Sequence, residues 1–186
     1  MKKIFLSALA CAMVSLVGCD QIEKATTTEI DANAVKFNFS ANVTQDEAKS
    51  SVEMKDATLN SFSETRTVLL SELGSEVVKY ADKISKVVAN SSLLRITVEP
   101  EGNYTITNLT VAAVGLPSAL VIPSYTLGDD FTAPPAMKTF TEAFVMRLIS
   151  TGSVEVTVSG QTDAPTGAKV NVVYENDLLF TAKLLK

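Results

Sequence analysis

Cys19 is the residue best suited to covalent chemistry in this chain of 186 residues. It follows residues 1–18, in which two lysines precede an apolar run that extends to Val17. A positive start and a short apolar run predict a secretory signal peptide, because a transmembrane helix needs ~20 apolar residues. A thiol is a strong nucleophile, so Cys19 could form a covalent bond at the end of this segment.

The sequence Leu16-Val17-Gly18-Cys19 resembles the lipobox of bacterial lipoproteins, with Leu at −3, a small residue at −1 and Cys at +1. The resemblance implies that the Cys19 thiol receives a diacylglyceryl group and that the signal peptide is cut between Gly18 and Cys19. The new amine is often acylated in that family, and two or three acyl chains anchor a protein stably. The implied partner is therefore a membrane of the bacterial cell envelope, reached through the N-terminal lipid.

The residues after Cys19 bear on which membrane holds the anchor. Asp20 resembles the inner-membrane retention signal of enteric-type bacteria. Asp20 together with Glu23 resembles the surface-export signal of Bacteroidota-type bacteria. Both interpretations stay open at this point, and we expect the outer membrane, on its periplasmic or surface face, rather than the inner membrane.

Other constellations that could support catalysis are weak in this chain. The absence of histidine excludes a Ser-His-Asp triad, a Cys-His dyad and a His-containing zinc site. Asp129 and Asp130 could offer oxygen ligands to calcium, but the D-x-D-x-D-G loop pattern is absent, so a solvated turn is favoured. We therefore expect no enzymatic activity, no cofactor and no metal.

The overall charge bears on partners. The chain has 16 basic and 21 acidic residues, a formal charge of −5 and an isoelectric point near 4.8. Residues 1–18 contain two lysines and no acid, so their removal makes the charge −7. Such a chain is not expected to bind nucleic acid, which needs a basic face. Cys19 would be the one cysteine left, which excludes an internal disulfide.

The mature chain is predicted to contain a flexible tether over residues 19–34, with an edge strand around Ile30 as the alternative, and one domain over residues 35–186. Apolar and polar residues alternate strictly from Val35 to Thr44, which is typical of a half-buried strand. Similar alternation, weaker in places, recurs near residues 62–70, 94–98, 104–111, 154–158, 170–174 and 180–184. The apolar run Leu120–Ile122 between two prolines favours a further edge or short strand.

Two segments have helical spacing instead. Between Leu69 and Val88 apolar residues recur three or four positions apart, which predicts a helix with Ser75 as its N-cap. A second helix is predicted over Thr139–Ser150, with a capping box of Thr139 and Glu142 and a C-terminal stop at Gly152. Phe140 and Phe144 on this second helix are expected to be core anchors.

About seven short strands with turns between them predict a mainly-β fold. The predicted fold class is an immunoglobulin-like antiparallel β-sandwich with one or two short α-helices, preceded by a signal peptide helix. The stretch Gly152–Thr162, with Val170–Tyr174 and Phe180–Ala182 after it, resembles the closing part of the late-embryogenesis-abundant-like β-sandwich lipoproteins. That resemblance implies an envelope domain without a catalytic motif.

These features favour a lipid-anchored, non-catalytic binding or scaffolding module whose partner is an envelope protein or a glycan. Two alternatives stay open. A surface carbohydrate-binding or adhesive module would be favoured by an exposed patch of Tyr104, Tyr125 and Tyr174, because sugar sites usually stack aromatic rings. A carboxylate-based hydrolase would need two carboxylates ~5–9 Å apart in a cleft.

Overall fold

The computed structural model describes residues 26–45, 59–127 and 134–184, which form seven strands and two α-helices. The strands are β1 (Thr27–Thr44), β2 (Asn60–Leu69), β3 (Ile84–Glu99), β4 (Thr105–Ala113), β5 (Leu120–Thr126), β6 (Ser153–Thr162) and β7 (Lys169–Lys183). The helices are α1 (Ser75–Tyr80) and α2 (Pro135–Thr151), with 3-10 turns at Leu70–Leu73 and Ala81–Lys83. The predicted mainly-β fold with short helices is confirmed.

All seven strands belong to one antiparallel sheet in the order β3-β7-β1-β2-β6-β4-β5. Its two halves, β3-β7-β1 and β2-β6-β4-β5, are joined by the pairs Val43–Phe62 and Thr44–Ser61 of β1 and β2. The sheet curls into a sandwich-like form. Helix α2 packs against β3, β5 and β6, so it covers the side where the two ends of the strand order would otherwise stay open.

The interior is filled by the alternating apolar residues of the strands and by one face of α2. Phe37 on β1 and Phe144 on α2 are both buried, and their rings meet edge to face with centroids 5.3 Å apart. Phe140 is buried beside Phe144, so both predicted core anchors are confirmed. The cavity between these rings and the sheet has a volume of about 10 Å³, so this part of the interior has no space for a ligand.

Strand β1 begins eight residues before the predicted domain boundary. The expectation of a flexible tether over residues 19–34 is therefore wrong from Thr27 onward, while residues 1–25 lie outside the described part of the chain. Ile30 is buried and pairs with Phe180 of β7. The polar, Thr-rich sequence conceals this strand, because its order comes from a ladder with residues about 150 positions away.

The first predicted helix is much shorter than expected. Helix α1 ends at Tyr80, and β3 begins at Ile84, so the expectation of a helix up to Val88 is wrong. Ile84 and Val88 have helical spacing from the preceding apolar residues, but pairing with β7 overrides it. In this part of β3 the two residues on either side of Val88, Val87 and Ala89, are buried instead of Val88.

Helix α2 starts at Pro135, four residues earlier than predicted. Proline suits this position because the first helical N–H has no partner within the helix. The predicted capping box is wrong, since Glu142 accepts the backbone N–H of Ala89 on β3 at 3.1 Å. The C-terminal stop is confirmed, because Gly152 has a left-handed φ of 77°.

Candidate functional site

Strand β1 has a partner strand along one edge and leaves most of its other edge free of one. Its ladder with β7 extends from Thr27 to Asn42, whereas its ladder with β2 covers only the pairs at its last two residues. Ser40 shows which groups face the free edge, because its N–H donates to the carboxylate of Glu64 on β2. Backbone groups alternate between the two edges of a strand, so the N–H groups of Lys36 and Asn38 also face the cleft between β1 and β2.

Two charged side chains of β2 face the interior at this cleft. Phe62 and Val68 on the same face are buried, and Glu64 and Arg66 between them are half-buried. A charge in this position is costly unless it is hydrogen-bonded, and the Glu64 carboxylate accepts the N–H of Ser40. Glu64 therefore occupies the place of a partner strand. Inward-pointing charges of this kind protect an edge from unwanted pairing.

Arg66 connects the two walls of the cleft. Its Nη1 and Nη2 atoms donate to the two carboxylate oxygens of Glu72, at 3.2 and 2.8 Å. Its Cζ atom lies 5.0 Å from the ring centre of Phe39 on β1. Glu72 also accepts the backbone N–H of Leu69 at 2.9 Å, which fixes the start of the first 3-10 turn. The Nε atom of Arg66 is buried and has no hydrogen-bond partner among the described residues.

Beside this ion pair the cleft widens into a groove of about 430 Å³. One wall is residues 30–36 of β1, and the other is residues 72–77, which contain the end of the 3-10 turn and the start of α1. Leu73 and Val77 are buried and hold the second wall against the core. Gly74 joins the turn to α1 with φ 99° and ψ 158°, a conformation essentially restricted to glycine.

The groove carries more negative than positive side chains. Asp31, Glu72 and Glu76 line it, against one lysine, Lys36. Lys36 is itself paired with Glu175 on the outer face of the sheet at 3.5 Å. A ligand that enters the groove therefore meets an acidic surface, which favours a basic partner.

A β-bulge shapes the β1 wall of the groove. The register of β1 against β7 shifts beside Ala34, whose φ is 54°. The Ala34 N–H donates to one carboxylate oxygen of Asp177 on β7 at 2.9 Å, and the Ser91 hydroxyl donates to the other at 2.6 Å. Ser91 borders a second bulge, in β3. The Ser91 hydroxyl and the Ala34 N–H hold the pKa of Asp177 below its ordinary value, so this carboxylate stays charged and fastens both bulges.

A second group of polar side chains is buried where α2 crosses the sheet. The Thr141 hydroxyl lies 2.8 Å from the Met137 carbonyl, 3.1 Å from the Ser92 hydroxyl and 3.4 Å from the amide oxygen of Asn176, and it also bonds the Tyr174 hydroxyl. Burial raises the pKa of Tyr174, so its phenol stays neutral. This polar cluster fastens the helix to β3 and β7.

The sequence-predicted site residues fall mostly outside the described part of the chain. Gly18, Cys19, Asp129 and Asp130 all lie there. Within residues 26–45, 59–127 and 134–184 no group of three or more Cys, Asp or Glu side chains could hold a metal ion. In the same ranges no helix is long and apolar enough to cross a membrane.

The three tyrosines whose exposed patch would favour a carbohydrate-binding module do not form one on the surface. Tyr174 is 2% exposed and belongs to the polar cluster below α2. Tyr104 and Tyr125 are half-buried near the start of β4 and on β5. The exposed patch that would favour a carbohydrate-binding module is therefore not formed by these three residues, because Tyr174 shares the inward parity of Val170 and Val172.

The cleft itself was not predicted, although the sequence contained a signal for it. Glu64 and Arg66 share the parity of Phe62 and Val68, which makes them charged residues at positions that should face the core. Comparison with known proteins finds no matching family, no similar curated protein and no similar solved structure.

Proposed function

We propose that this protein is a lipid-anchored cell-envelope protein that acts as a non-catalytic binding or scaffolding module. The lipobox, Leu16-Val17-Gly18-Cys19, supports lipidation at Cys19 and anchoring in the envelope, with the outer membrane favoured. The observation that carries the binding role is the free edge of β1, where the N–H groups of Lys36 and Asn38 face a cleft instead of a strand.

The partner that fits this cleft is an extended, basic segment of another envelope protein. Such a segment can add to an open strand edge through backbone hydrogen bonds, while its side chains select the site. The arriving strand would take the Ser40 N–H from Glu64. The acidic residues Asp31, Glu72 and Glu76 would favour lysine or arginine in that segment.

The anchor is tested by labelling cells with radioactive palmitate. The wild-type chain is expected to take up label, and Cys19→Ala is expected to lose it, because the thiol is the atom that forms the thioether. Cys11→Ala is the matched control and should keep the label, since Ala8 rather than leucine stands three residues before Cys11. A Cys19→Ala chain that still incorporates palmitate contradicts the anchor.

The binding edge is tested with a photo-crosslinking residue in place of the exposed Lys36. A discrete adduct with an envelope protein is expected, and Asn38→Pro should lower its yield about tenfold, because proline removes the N–H that a partner strand needs. Asn38→Ala keeps that N–H and should leave the adduct unchanged. An Asn38→Pro chain that unfolds at the wild-type temperature yet gives the full adduct refutes strand addition.

A further inference from the structure

The end of the domain that leads back toward Cys19 carries a second surface, which shares only residues 75–77 with the groove. The Leu184 N–H donates to the Thr26 carbonyl at 2.7 Å, and Ile84 pairs with Ala182, so the starts of β1 and β3 meet the end of β7 there. Helix α1 and the second 3-10 turn lead directly into β3 at the same end. Residues 26–29, 75–86 and 181–184 together are named the tether end.

The tether end has a different charge balance from the rest of the domain. It carries four lysines, against three acids, Glu29, Glu76 and Asp82. The other described residues have six basic and ten acidic side chains. The lysines of the tether end are Lys79, Lys83, Lys86 and Lys183. An acidic protein therefore presents a net positive charge at the end nearest to its proposed anchor.

The same end combines these charges with an aromatic ring and exposed apolar side chains. The Nζ atoms of Lys79 and Lys83 lie 4.9 and 6.0 Å from the ring centre of Tyr80. Val78 and Leu184 are each 43% exposed, which places them among the few large apolar side chains left open on the described surface. Lysine and tyrosine suit the interface between lipid headgroups and water, because each joins an apolar part to a polar tip, and exposed apolar side chains can enter the boundary with the acyl chains.

The length of chain before β1 limits how far this end can lie from the membrane. Thr26 follows Cys19 by seven residues, so the two are separated by at most ~25 Å at ~3.6 Å per residue. A lipid on Cys19 would hold the tether end near the headgroups at high effective concentration. Even weak attraction of each lysine to the surface then suffices to bias the orientation of the domain.

We propose that the tether end docks on anionic phospholipid headgroups, with its four lysines contacting phosphates and Tyr80 lying at headgroup level. This inference rests on the proposed lipid anchor and adds a second, orienting contact to it. The equilibrium constant for docking should rise about fivefold for each lysine near an anionic surface and fall at high salt.

The test uses the purified, lipidated full chain in vesicles of phosphatidylcholine alone or with phosphatidylglycerol added. Lysine acetylation is followed by mass spectrometry. The four lysines of the tether end should react severalfold more slowly on the anionic vesicles, whereas Lys36, Lys138 and Lys169 should react alike on both. High salt should abolish the protection. Equal reactivity of the tether-end lysines on both vesicle types overturns the inference.

A variant with all four tether-end lysines changed to glutamine gives an independent readout. Amide exchange in residues 75–86 should be slowed by anionic vesicles in the wild-type chain and not in this variant. A control with Lys36, Arg95, Lys138 and Lys169 changed to glutamine carries the same charge and should stay protected. Protection that persists in the tether-end variant refutes the docking. A wild-type chain that does not co-float with either type of vesicle refutes the lipid anchor itself, so the two failures can be told apart.

Discussion

Removing hydroxyls from the polar cluster below α2 should loosen the helix from the sheet by a measurable amount. In Tyr174→Phe the Thr141 hydroxyl loses the Tyr174 hydroxyl and keeps the Met137 carbonyl, and in Thr141→Val the Tyr174 hydroxyl loses Thr141 and keeps its longer bond of 3.4 Å to the Met137 carbonyl. Each variant removes a buried hydrogen bond while the remaining hydroxyl keeps another partner, which costs ~0.5–1.5 kcal/mol of the free energy of unfolding. In a domain of this size, each kcal/mol lowers the melting temperature by ~2–4 °C.

The double variant Thr141→Val with Tyr174→Phe tests whether the two hydroxyls act together or contribute independently to stability. Both single variants break the same hydrogen bond between Thr141 and Tyr174, which the double variant can lose only once. The double variant should therefore lose ~1 kcal/mol less unfolding free energy than the sum of the two single losses. Urea midpoints at constant slope and thermal unfolding both report it. Thr97→Val removes an exposed hydroxyl on β3 and should change stability by less than ~0.5 kcal/mol. Single losses no larger than this control, or strictly additive losses, would refute the reasoning.

Two further predictions concern the backbone. Because the Ser91 hydroxyl and the Ala34 N–H lower the pKa of Asp177 in the folded state, its contribution is complete above the unfolded pKa of ~3.9 and disappears as the pH falls through the folded pKa. Asp177→Asn should therefore flatten the acid side of a pH series of urea midpoints, and an unchanged acid side contradicts this role. Gly152→Ala should cost ~1 kcal/mol at its left-handed φ, and Gly74→Ala ~1–3 kcal/mol, since φ 99° with ψ 158° is harder for alanine. The added Cβ atom has no neighbour within 4 Å at either position, so the change in melting temperature reports the backbone cost alone. Variants as stable as the wild-type chain would contradict this cost.

Period-two alternation predicted the strands of the core well, because each half-buried strand must place its apolar residues on one face. The stretch from Val35 to Val43 is the clearest case, and its odd residues are buried. The spacing of apolar residues gave the wrong prediction where the same residues fit both the helical period and the strand period. Ile84 and Val88 fit a helix after Val77, and long-range pairing with β7 decides for a strand.

The candidate cleft was harder to predict than the fold. Arg66 and Glu72 are six residues apart in sequence, yet their contact depends on how β2 ends and turns beneath β1. The cleft exists because β1 and β2 separate after two residue pairs, and the core-facing charges of Glu64 and Arg66 mark the strand without showing which strand lies opposite. Lipidation at Cys19, by contrast, is predicted from four adjacent residues and remains a matter for labelling.

The position of β7 has a consequence for how the domain assembles. β7 lies between β1 and β3 and is the last strand of the described chain. Until Lys169–Lys183 has been synthesised, neither neighbour has its partner, and both expose long strand edges of the kind that aggregate. Chains that stall before Lys169 should therefore need a holding chaperone, and folding should be slow because the first strand waits for the last.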